Sequence, residues 1–371
     1  MSRKATSTAN REPITLAIAV HAPYNRIKNI ESYYQEFINL LKTNGITPEF
    51  TQFIKIREIN PSTFITRGKV EELAQICEKN NVQRVYVSEQ LTGVQERNLE
   101  DLFNCSVYDR TRLILEIFQK AALSAEGKKQ VEIAILRHSK TRLAGKGASM
   151  AQQLGVIGGR GPGERAKEIE RRTIEEEIEK LKKQLKQIET VRATQRKQRL
   201  EKRIPHICLI GYTNAGKSTI LNTLTKAGVV AEDKLFATLD TTTRELYIDH
   251  QKIGVISDTV GFIQQLPHQL INAFKATLEE LQYADLLLQV IDSSDPNCES
   301  HIHVVHEILR ELEVDKPMIY VFNKSDAVID PETLKTALDK YQPHVLVCGK
   351  NRAGLEPLIE FLRTWQKPEE K

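Results

Sequence analysis

The sequence predicts an α/β fold in which two globular domains flank a helical segment. Short β-rich runs alternate with longer amphipathic stretches in both halves of the chain, and residues 164–203 contain neither proline nor glycine. A length of 371 residues is enough for two or three domains. A hydrophobic content of 40% and a net charge of only +4 exclude a chain that is disordered throughout.

The first predicted domain is an α/β domain that covers residues 13–125 and follows a polar segment, residues 1–12, predicted to be a mobile tail. The runs predicted as strands are 14–20, 50–56 and 82–88, and those predicted as helices are 30–43 and 69–79. Apolar residues at three- and four-residue steps predict helix over most of residues 109–142.

Residues 126–203 are predicted to form an antiparallel helical hairpin that links the two domains. Its second helix has the apolar spacing of a coiled-coil seam, at Ile174, Ile178, Leu181, Leu185 and Ile188. The helix before it is the expected partner. Residues 145–163 hold seven glycines, which disfavour helix and strand, so this segment is predicted to be the loop at the hairpin tip.

The last predicted domain covers residues 204–367, and a charged tail follows at residues 368–371. Strand-like and helical runs alternate along it, which predicts a mostly parallel sheet covered by helices on both faces. The motifs that carry chemistry all lie in this domain.

A phosphate-binding loop is predicted at residues 211–218, which read GYTNAGKS and fit the pattern G-x-x-x-x-G-K-[ST]. Backbone N–H groups of such a loop surround phosphates, Lys217 reaches the β- and γ-phosphates, and the Ser218 hydroxyl is offered to Mg²⁺. The predicted contacts are Gly211, Tyr212, Thr213, Asn214, Ala215, Gly216, Lys217 and Ser218.

A carboxylate that holds Mg²⁺ through water is predicted at Asp258, at the end of a strand-like run. It opens the sequence DTVG, and all four residues, Asp258, Thr259, Val260 and Gly261, are predicted nucleotide contacts. The backbone N–H of Gly261 is expected to bind the γ-phosphate, so that this loop distinguishes the triphosphate.

Guanine recognition is predicted at NKSD, the residues Asn323, Lys324, Ser325 and Asp326. A carboxylate at Asp326 accepts hydrogen bonds from N1–H and the 2-amino group of guanine, and adenine offers neither donor. Taken alone, the tetrapeptide fits a helix cap equally well. A loop that closes over the base is predicted at Val347, Cys348 and Gly349.

A threonine-rich segment between the first two motifs is predicted to bring a second hydroxyl to Mg²⁺, and an ordinary surface loop is the alternative. Thr238 is the preferred ligand, with Thr241 and Thr242 as alternatives. The predicted nucleotide contacts of this segment are Phe236, Ala237, Thr238, Leu239 and Asp240. Together the motifs predict a protein that binds GTP and GDP, uses Mg²⁺, and hydrolyses GTP with Lys217, Thr238 and Gly261 as catalytic residues.

Slow hydrolysis by the isolated protein is predicted because Phe262 follows DTVG, where many GTPases place a glutamine that orients the attacking water. A partner or a cation would supply the missing stabilisation. Asn214 is a candidate K⁺ ligand, and the alternative is that it only stabilises the phosphate loop.

Basic residues in the predicted hairpin are candidates for RNA binding, although the same residues fit a solvated helix face equally well. The candidates are Arg137, Lys140, Arg142, Lys146, Arg160 and Arg165. The first apolar run is far shorter than the roughly 20 residues that span a bilayer, so no membrane insertion is expected. The chain is predicted to be a cytoplasmic monomer, with peripheral membrane association left open.

With these motifs in place, the chain resembles the HflX family of ribosome-associated GTPases over about residues 15–365. The specific motifs are RGKVEEL at 67–73, QERNLED at 95–101, DRTRLILEIF at 109–118, EGKKQVEIAIL at 126–136 and RGPGE at 160–164. The chain departs from the family pattern at Gly159, where threonine is common, and at Cys348 and Gly349, where serine and alanine are common.

The resemblance implies binding to the large ribosomal subunit through its rRNA and a role in splitting or rescuing stalled ribosomes. It also favours RNA binding by the basic hairpin. Two other interpretations remain: a GTP-gated scaffold that binds RNA or protein, and a GTPase of ribosome assembly or tRNA modification. A scaffold predicts hydrolysis that is indifferent to ribosomes.

Overall fold

The computed structural model describes residues 13–25, 29–143, 162–201, 204–225, 234–239, 242–267, 270, 278–328 and 330–365. The chain divides into an N-terminal unit, residues 1–114 with 138–171, and a C-terminal unit, residues 115–137 with 172–371. The predicted tails and the glycine-rich segment up to residue 161 lie outside the described residues. The predicted three-domain boundaries stay a prediction.

A four-stranded parallel sheet in the order β2-β1-β3-β4 forms the centre of the N-terminal unit. Its strands are β1 Thr15–His21, β2 Phe50–Lys55, β3 Arg84–Val87 and β4 Ser106–Tyr108. The helices that follow them in the chain are α1 Ile30–Thr43, α2 Arg67–Asn80, α3 Gly93–Phe103, α4 Arg110–Ala121 and α5 Ala125–Leu143.

Sequence periodicity predicted the first three strands and the first two helices but missed α3 and β4. A local signal for α3 was present, because Thr92 and Gln95 form a capping box with reciprocal side-chain to backbone hydrogen bonds. β4 is only three residues long, too short for an alternating pattern to appear.

Helix α5 packs against α6, Pro162–Glu201, through the predicted seam. Ile178 and Leu181 of α6 are buried against Ile133 of α5. α6 begins two residues before the predicted start, and its proline fits there because the first turn of a helix needs no N–H from that position.

The C-terminal unit contains a six-stranded sheet in the order β10-β9-β8-β5-β7-β6, in which β6 alone runs antiparallel to its neighbour. Its strands are β5 His206–Gly211, β6 Thr242–Ile248, β7 Gln251–Asp258, β8 Leu286–Asp292, β9 Met318–Asn323 and β10 His344–Leu346. Its shorter helices are α7 Lys217–Thr225, α8 Cys298–Glu311, α9 Pro331–Lys340 and α10 Glu356–Thr364.

Two separate cores show that helices cover both faces of this sheet. On one face α7 and α10 bury Ile220 and Ile359 against the strands, and on the other α8 and α9 bury Ile302 and Ala337. The predicted fold class is therefore confirmed.

The carboxyl ends of β5, β7, β8 and β9 meet at one edge of the sheet, where ligands of open α/β sheets bind. These strands end at Gly211, Asp258, Asp292 and Asn323. Three of the four residues belong to the predicted motifs.

Candidate functional site

The phosphate loop leaves β5 at Gly211 and enters α7 at Lys217. Gly211 and Gly216 adopt φ values of 151° and 94°, which side chains rarely allow. A Cβ atom at Gly211 would lie 2.3 Å from the Val290 carbonyl oxygen, and one at Gly216 would lie 2.2 Å from Asn323 Nδ2. The backbone path and the close packing both require glycine at these positions.

A cleft of about 410 Å³, part of it open to solvent, brings residues of three predicted loops together. The residues that line it are Thr213, Asn214, Gly216, Lys217, Ser218, Thr219, Lys234, Phe236, Ala237, Thr238, Thr259 and Gly261. Sequence analysis missed Thr219 and Lys234. Lys234 lies in no motif, so only the folded chain shows that it borders the cleft.

Three oxygen-bearing side chains meet beside this cleft. Ser218 Oγ lies 2.7 Å from Thr238 Oγ1 and donates a hydrogen bond to Asp258 Oδ2 at 2.6 Å. Asp258 is fully buried, and its Oδ1 has no hydrogen-bond partner among the described residues. Hydroxyl and carboxylate oxygens are the ligands that Mg²⁺ prefers, so these residues fit the predicted ion.

Burial raises the pKa of the Asp258 carboxyl, and the ammonium of Lys217 opposes that rise. The hydroxyl of Thr238, the preferred threonine candidate, belongs to this cluster. Thr242, one of the alternative candidates, lies in β6, opposite Asp258. Asp240 and Thr241 lie outside the described residues.

Lys217 is buried at the start of α7, where its ammonium donates to the carbonyl oxygens of Tyr212 at 2.7 Å and Gly211 at 3.2 Å. Burial lowers the pKa of Lys217 to about 8, although the Asp258 carboxylate favours the charged form. The loop thus holds a poorly solvated cation at the position where phosphate is expected.

This shift predicts how stability depends on pH in protein stripped of nucleotide. Between pH 8 and the ordinary lysine value of 10.5, the unfolded chain binds more protons than the folded one at this site. The free energy of unfolding should therefore rise with pH across that window, by up to about 3 kcal/mol. Urea unfolding at pH 8 and pH 10 of the wild type and Lys217→Met measures the difference. Parallel pH dependence in the two proteins would contradict it.

The residue after DTVG is held by the phosphate loop. Thr213 N–H donates to the Phe262 carbonyl at 2.8 Å, and Phe262 N–H donates to the Gly211 carbonyl at 3.2 Å. The Phe262 side chain is buried, with 1% of its surface exposed. It therefore points into the core and offers no polar group to the cleft.

Tyr212 adds side-chain contacts between the phosphate loop and the segment that follows DTVG. Its ring stacks on His301 of α8 with 3.8 Å between centroids, and its hydroxyl accepts the N–H of Gln264 at 2.8 Å. The phosphate loop and the segment after DTVG are thus joined by side-chain as well as backbone contacts.

Asn323 joins the phosphate loop to the loop predicted to close over the base. Its Nδ2 donates to the Ala215 carbonyl at 2.9 Å, and its Oδ1 accepts the N–H of Gly349 at 2.9 Å. Ser325 N–H donates to the Val347 carbonyl at 3.1 Å. The structure therefore places the NKSD and VCG segments side by side.

Asp326, the predicted guanine-reading residue, lies at the surface with its carboxylate already engaged. Its side chain is 36% exposed and accepts hydrogen bonds from Lys350 Nζ at 2.6 Å and Cys348 Sγ at 3.2 Å. These contacts, with Lys350 first, lower the pKa of the Asp326 carboxyl. A short helical turn, Ser325–Ala327, carries the residue out to the surface.

Lys324, the second residue of NKSD, is held by an ion pair. Its ammonium donates to Asp292 Oδ2 at 2.6 Å, and its backbone is left-handed with φ 62°. Asp292 ends β8 and was not predicted, because no motif marks it in the sequence.

The RNA-binding candidates that the structure describes differ in their contacts and exposure. Arg142 is held within the N-terminal unit, where its guanidinium donates to Asp109 Oδ2 at 2.6 Å and to the Leu91 carbonyl. Only 14% of its side chain is exposed, so it is engaged in the fold. Arg137 and Lys140 are half-buried on α5, and Lys146, Arg160 and the side chain of Arg165 lie outside the described residues.

Three models of known protein families match successive parts of the chain. Residues 31–119 match the family model described as GTP-binding GTPase N-terminal, residues 121–199 match GTP-binding GTPase Middle Region, and residues 206–324 match 50S ribosome-binding GTPase. A GTPase HflX of Magnetococcus marinus is 45% identical over 330 residues, which cover 88% of this chain and 76% of that protein. The chain belongs to the HflX family of GTPases.

A second relative agrees with this assignment, and a solved structure has a similar fold. A GTPase HflX of Escherichia coli is 39% identical over 350 residues, which cover 93% of this chain and 82% of that protein. A solved structure of a protein called SsGBP in complex with GDP has a similar fold, with a TM-score of 0.50 at 23% identity and coverage of 94% and 97% of the two chains.

This HflX-family chain is thus a P-loop GTPase that binds GTP and hydrolyses it. The GTPase fold implies the usual dependence on Mg²⁺. In the part of the chain that the structure describes, no helix is both long and apolar enough to cross a membrane. Nothing there supports the peripheral membrane association that the sequence left open.

Proposed function

We propose that this HflX-family GTPase associates with the large ribosomal subunit, helps to split, rescue or recycle stalled ribosomes, and hydrolyses GTP slowly until the ribosome stimulates it. One observation carries the need for a partner: Phe262 is buried where many GTPases have a glutamine. The match of residues 206–324 to the 50S ribosome-binding GTPase model supports the ribosome as that partner.

The proposed mechanism starts from the phosphate loop. Its backbone N–H groups and Lys217 bind the β- and γ-phosphates, and the phosphate charge restores the protonated lysine that burial disfavours. Ser218 and Thr238 would ligate Mg²⁺ directly, and Asp258 would hold it through water. When bound there, Mg²⁺ would supply positive charge that stabilises the transferred phosphoryl group.

The γ-phosphate is sensed at Gly261, whose N–H becomes a donor only for the triphosphate. Gly261 lies directly against the phosphate loop, since a Cβ atom there would be 2.9 Å from Thr213 Cα. Lys217, Thr238 and Gly261 therefore form the proposed catalytic set, and it acts by positioning and charge stabilisation.

Guanine is read by Asp326, with Asn323 and the segment Val347 to Gly349 setting the shape of the base site. The base must displace Lys350 and Cys348 from the carboxylate to bind there. That exchange costs little, because water and salt screen an ion pair at an exposed site.

K⁺ is proposed as an activator that Asn214 ligates next to the phosphates. Asn214 lines the cleft, and its φ of 61° turns the loop at that point. GTP hydrolysis should then be several-fold faster in KCl than in NaCl at equal ionic strength, and Asn214→Ala should remove the difference. Equal rates of the wild type in the two salts would exclude this role.

Contact with rRNA is proposed for the basic hairpin, through Arg137 and Lys140 together with Lys146, Arg160 and Arg165. Arg142 is withdrawn from this set because it is held by Asp109. Two neighbouring cations on α5 can each neutralise an RNA phosphate, which makes binding sensitive to salt.

Sedimentation with purified large ribosomal subunits tests the proposal. We expect the protein to pellet with the large subunit when bound to a nonhydrolysable GTP analogue and to remain largely in the supernatant with GDP. Arg137→Ala with Lys140→Ala should weaken pelleting without changing nucleotide affinity. Equal pelleting in both nucleotide states would favour an RNA scaffold, and binding to tRNA instead of the subunit would favour a role in tRNA modification.

A further inference from the structure

We propose that Phe118, a residue of α4 that lies outside the GTPase motifs, is a positioning residue for hydrolysis because it fixes the path of the threonine-rich segment beside the phosphate cleft. The inference rests on the role proposed for Thr238 in binding Mg²⁺ and the γ-phosphate.

The contact is an edge-to-face pair between Phe118 and Phe236. Their ring centroids lie 4.6 Å apart with an interplanar angle of 85°, which is a favoured geometry for two aromatic rings. Both side chains are buried, with 1% and 2% of their surfaces exposed. The pair is therefore a packed contact in the C-terminal unit.

Phe236 has a backbone conformation that needs support. Its φ is 57°, in the left-handed region that a bulky residue other than glycine rarely adopts. Such a conformation persists only where surrounding packing maintains it. Phe118 supplies part of that packing from a helix, which is a firmer platform than a loop.

The position of Phe236 determines where Thr238 lies. Phe236 lines the cleft itself, and Thr238 follows two residues later with its Oγ1 2.7 Å from Ser218 Oγ. If Phe236 rotated out of the left-handed region, the backbone after it would change direction and move this hydroxyl. Phe118 therefore acts on the reaction through Phe236 and Thr238.

The helix that carries Phe118 is well fixed. Leu115 and Ile117, which precede Phe118 in the same helix, are each 3% exposed. Ala122, just beyond the end of the helix, is also buried. A helix buried on most of its surface moves little on its own. α4 is thus suited to hold a nucleotide loop in one conformation.

Loss of the aromatic ring should affect the triphosphate selectively. GDP is held by the phosphate loop and the guanine-reading residues, whereas the Phe118 ring packs on Phe236 of the threonine-rich segment. We expect Phe118→Ala to weaken binding of a nonhydrolysable GTP analogue and to lower kcat/KM about tenfold each, with GDP affinity within about twofold. Phe118→Leu, which keeps an apolar side chain, should recover most of the loss.

Two variants make the test decisive. Leu113→Ala truncates a fully buried residue of the same helix and should leave the ratio of GTP-analogue to GDP affinity unchanged. Thr238→Ala should show the same selective loss as Phe118→Ala. Fluorescent GDP and GTP-analogue titrations, steady-state hydrolysis and thermal unfolding are measured on each full-length protein.

The outcomes distinguish the positioning role of Phe118 from the role proposed for Thr238 in the nucleotide site. A selective loss in Thr238→Ala with wild-type behaviour in Phe118→Ala and Phe118→Leu would overturn the role of Phe118 and leave the proposed site intact. No selective loss in Thr238→Ala would overturn both. Equal losses of GDP and GTP-analogue affinity in Phe118→Ala and Leu113→Ala would reduce Phe118 to a general stabiliser of the fold.

Discussion

Asp326→Asn is expected to lower GTP affinity at least about a hundredfold and to create affinity for XTP, because a charged acceptor of two hydrogen bonds is lost. The asparagine amide presents a donor where guanine presents its own 2-amino donor. Xanthine carries an oxygen at that position, so it pairs with the amide while its N1–H still meets the asparagine oxygen. Titration with fluorescent GDP and XDP measures both effects.

Lys350→Met is the matched control for this variant. It removes the cation that lies 2.6 Å from Asp326 Oδ2 but leaves the carboxylate in place. GTP affinity should stay within about threefold of wild type, since the exposed ion pair contributes little. If Asp326→Asn bound GTP as tightly as the wild type, Asp326 would not read the base.

Gly261→Ala is expected to slow GTP hydrolysis at least about a hundredfold and to change GDP affinity less than about threefold, as loss of a transition-state donor does. The added Cβ would lie 2.8 Å from Thr213 Cγ2, 2.9 Å from Thr213 Cα and 3.0 Å from Lys217 Nζ. The backbone of Thr213 cannot yield without moving the phosphate loop, so the DTVG loop must withdraw from the γ-phosphate. Single-turnover hydrolysis and GDP titration separate the two effects.

Gly68→Ala provides the comparison for a glycine that packing does not require. A Cβ atom there meets nothing within 4 Å, and the residue lies on α2. Its hydrolysis rate should equal that of the wild type. Normal hydrolysis by Gly261→Ala, or an equal loss of GDP and GTP binding, would contradict the assignment of Gly261 to the γ-phosphate.

Local signals made much of the fold predictable from the sequence. The buried strand β1 is an uninterrupted apolar run, and α1 begins and ends where its amphipathic pattern does. The phosphate loop was predictable for a similar reason. Its glycines are required by their own φ values, and they stand at fixed spacing from Lys217 and Ser218, so the pattern appears directly in the sequence.

Contacts between distant residues were not predictable. Lys350 pairs with Asp326, Asp292 pairs with Lys324, and Phe118 packs on Phe236, yet none of these pairs is marked by spacing or composition. Strand β6 is at the edge of its sheet and carries mostly exposed residues, so its apolar pattern is too weak to predict a strand.

The role of Arg142 was also not predictable from the sequence, although its charge was. In the sequence it belongs to a basic run, and charge alone cannot distinguish an RNA contact from an internal ion pair. The fold places it beside Asp109, which lies far from it in the chain and also caps α4 through the N–H of Arg112. Burial of the partner decides its role, and burial is a property of the folded chain.

Steady-state GTP hydrolysis in KCl, measured alone and with purified large subunits or whole ribosomes, tests the central claim most directly. Asp326→Asn, assayed with GTP and with XTP, shows whether any stimulation passes through this nucleotide site. We predict a slow basal rate that ribosomes raise at least about tenfold, as expected when a partner supplies missing transition-state stabilisation. The Asp326→Asn variant should show this stimulation with XTP and not with GTP. A rate that ribosomes leave unchanged would contradict the account.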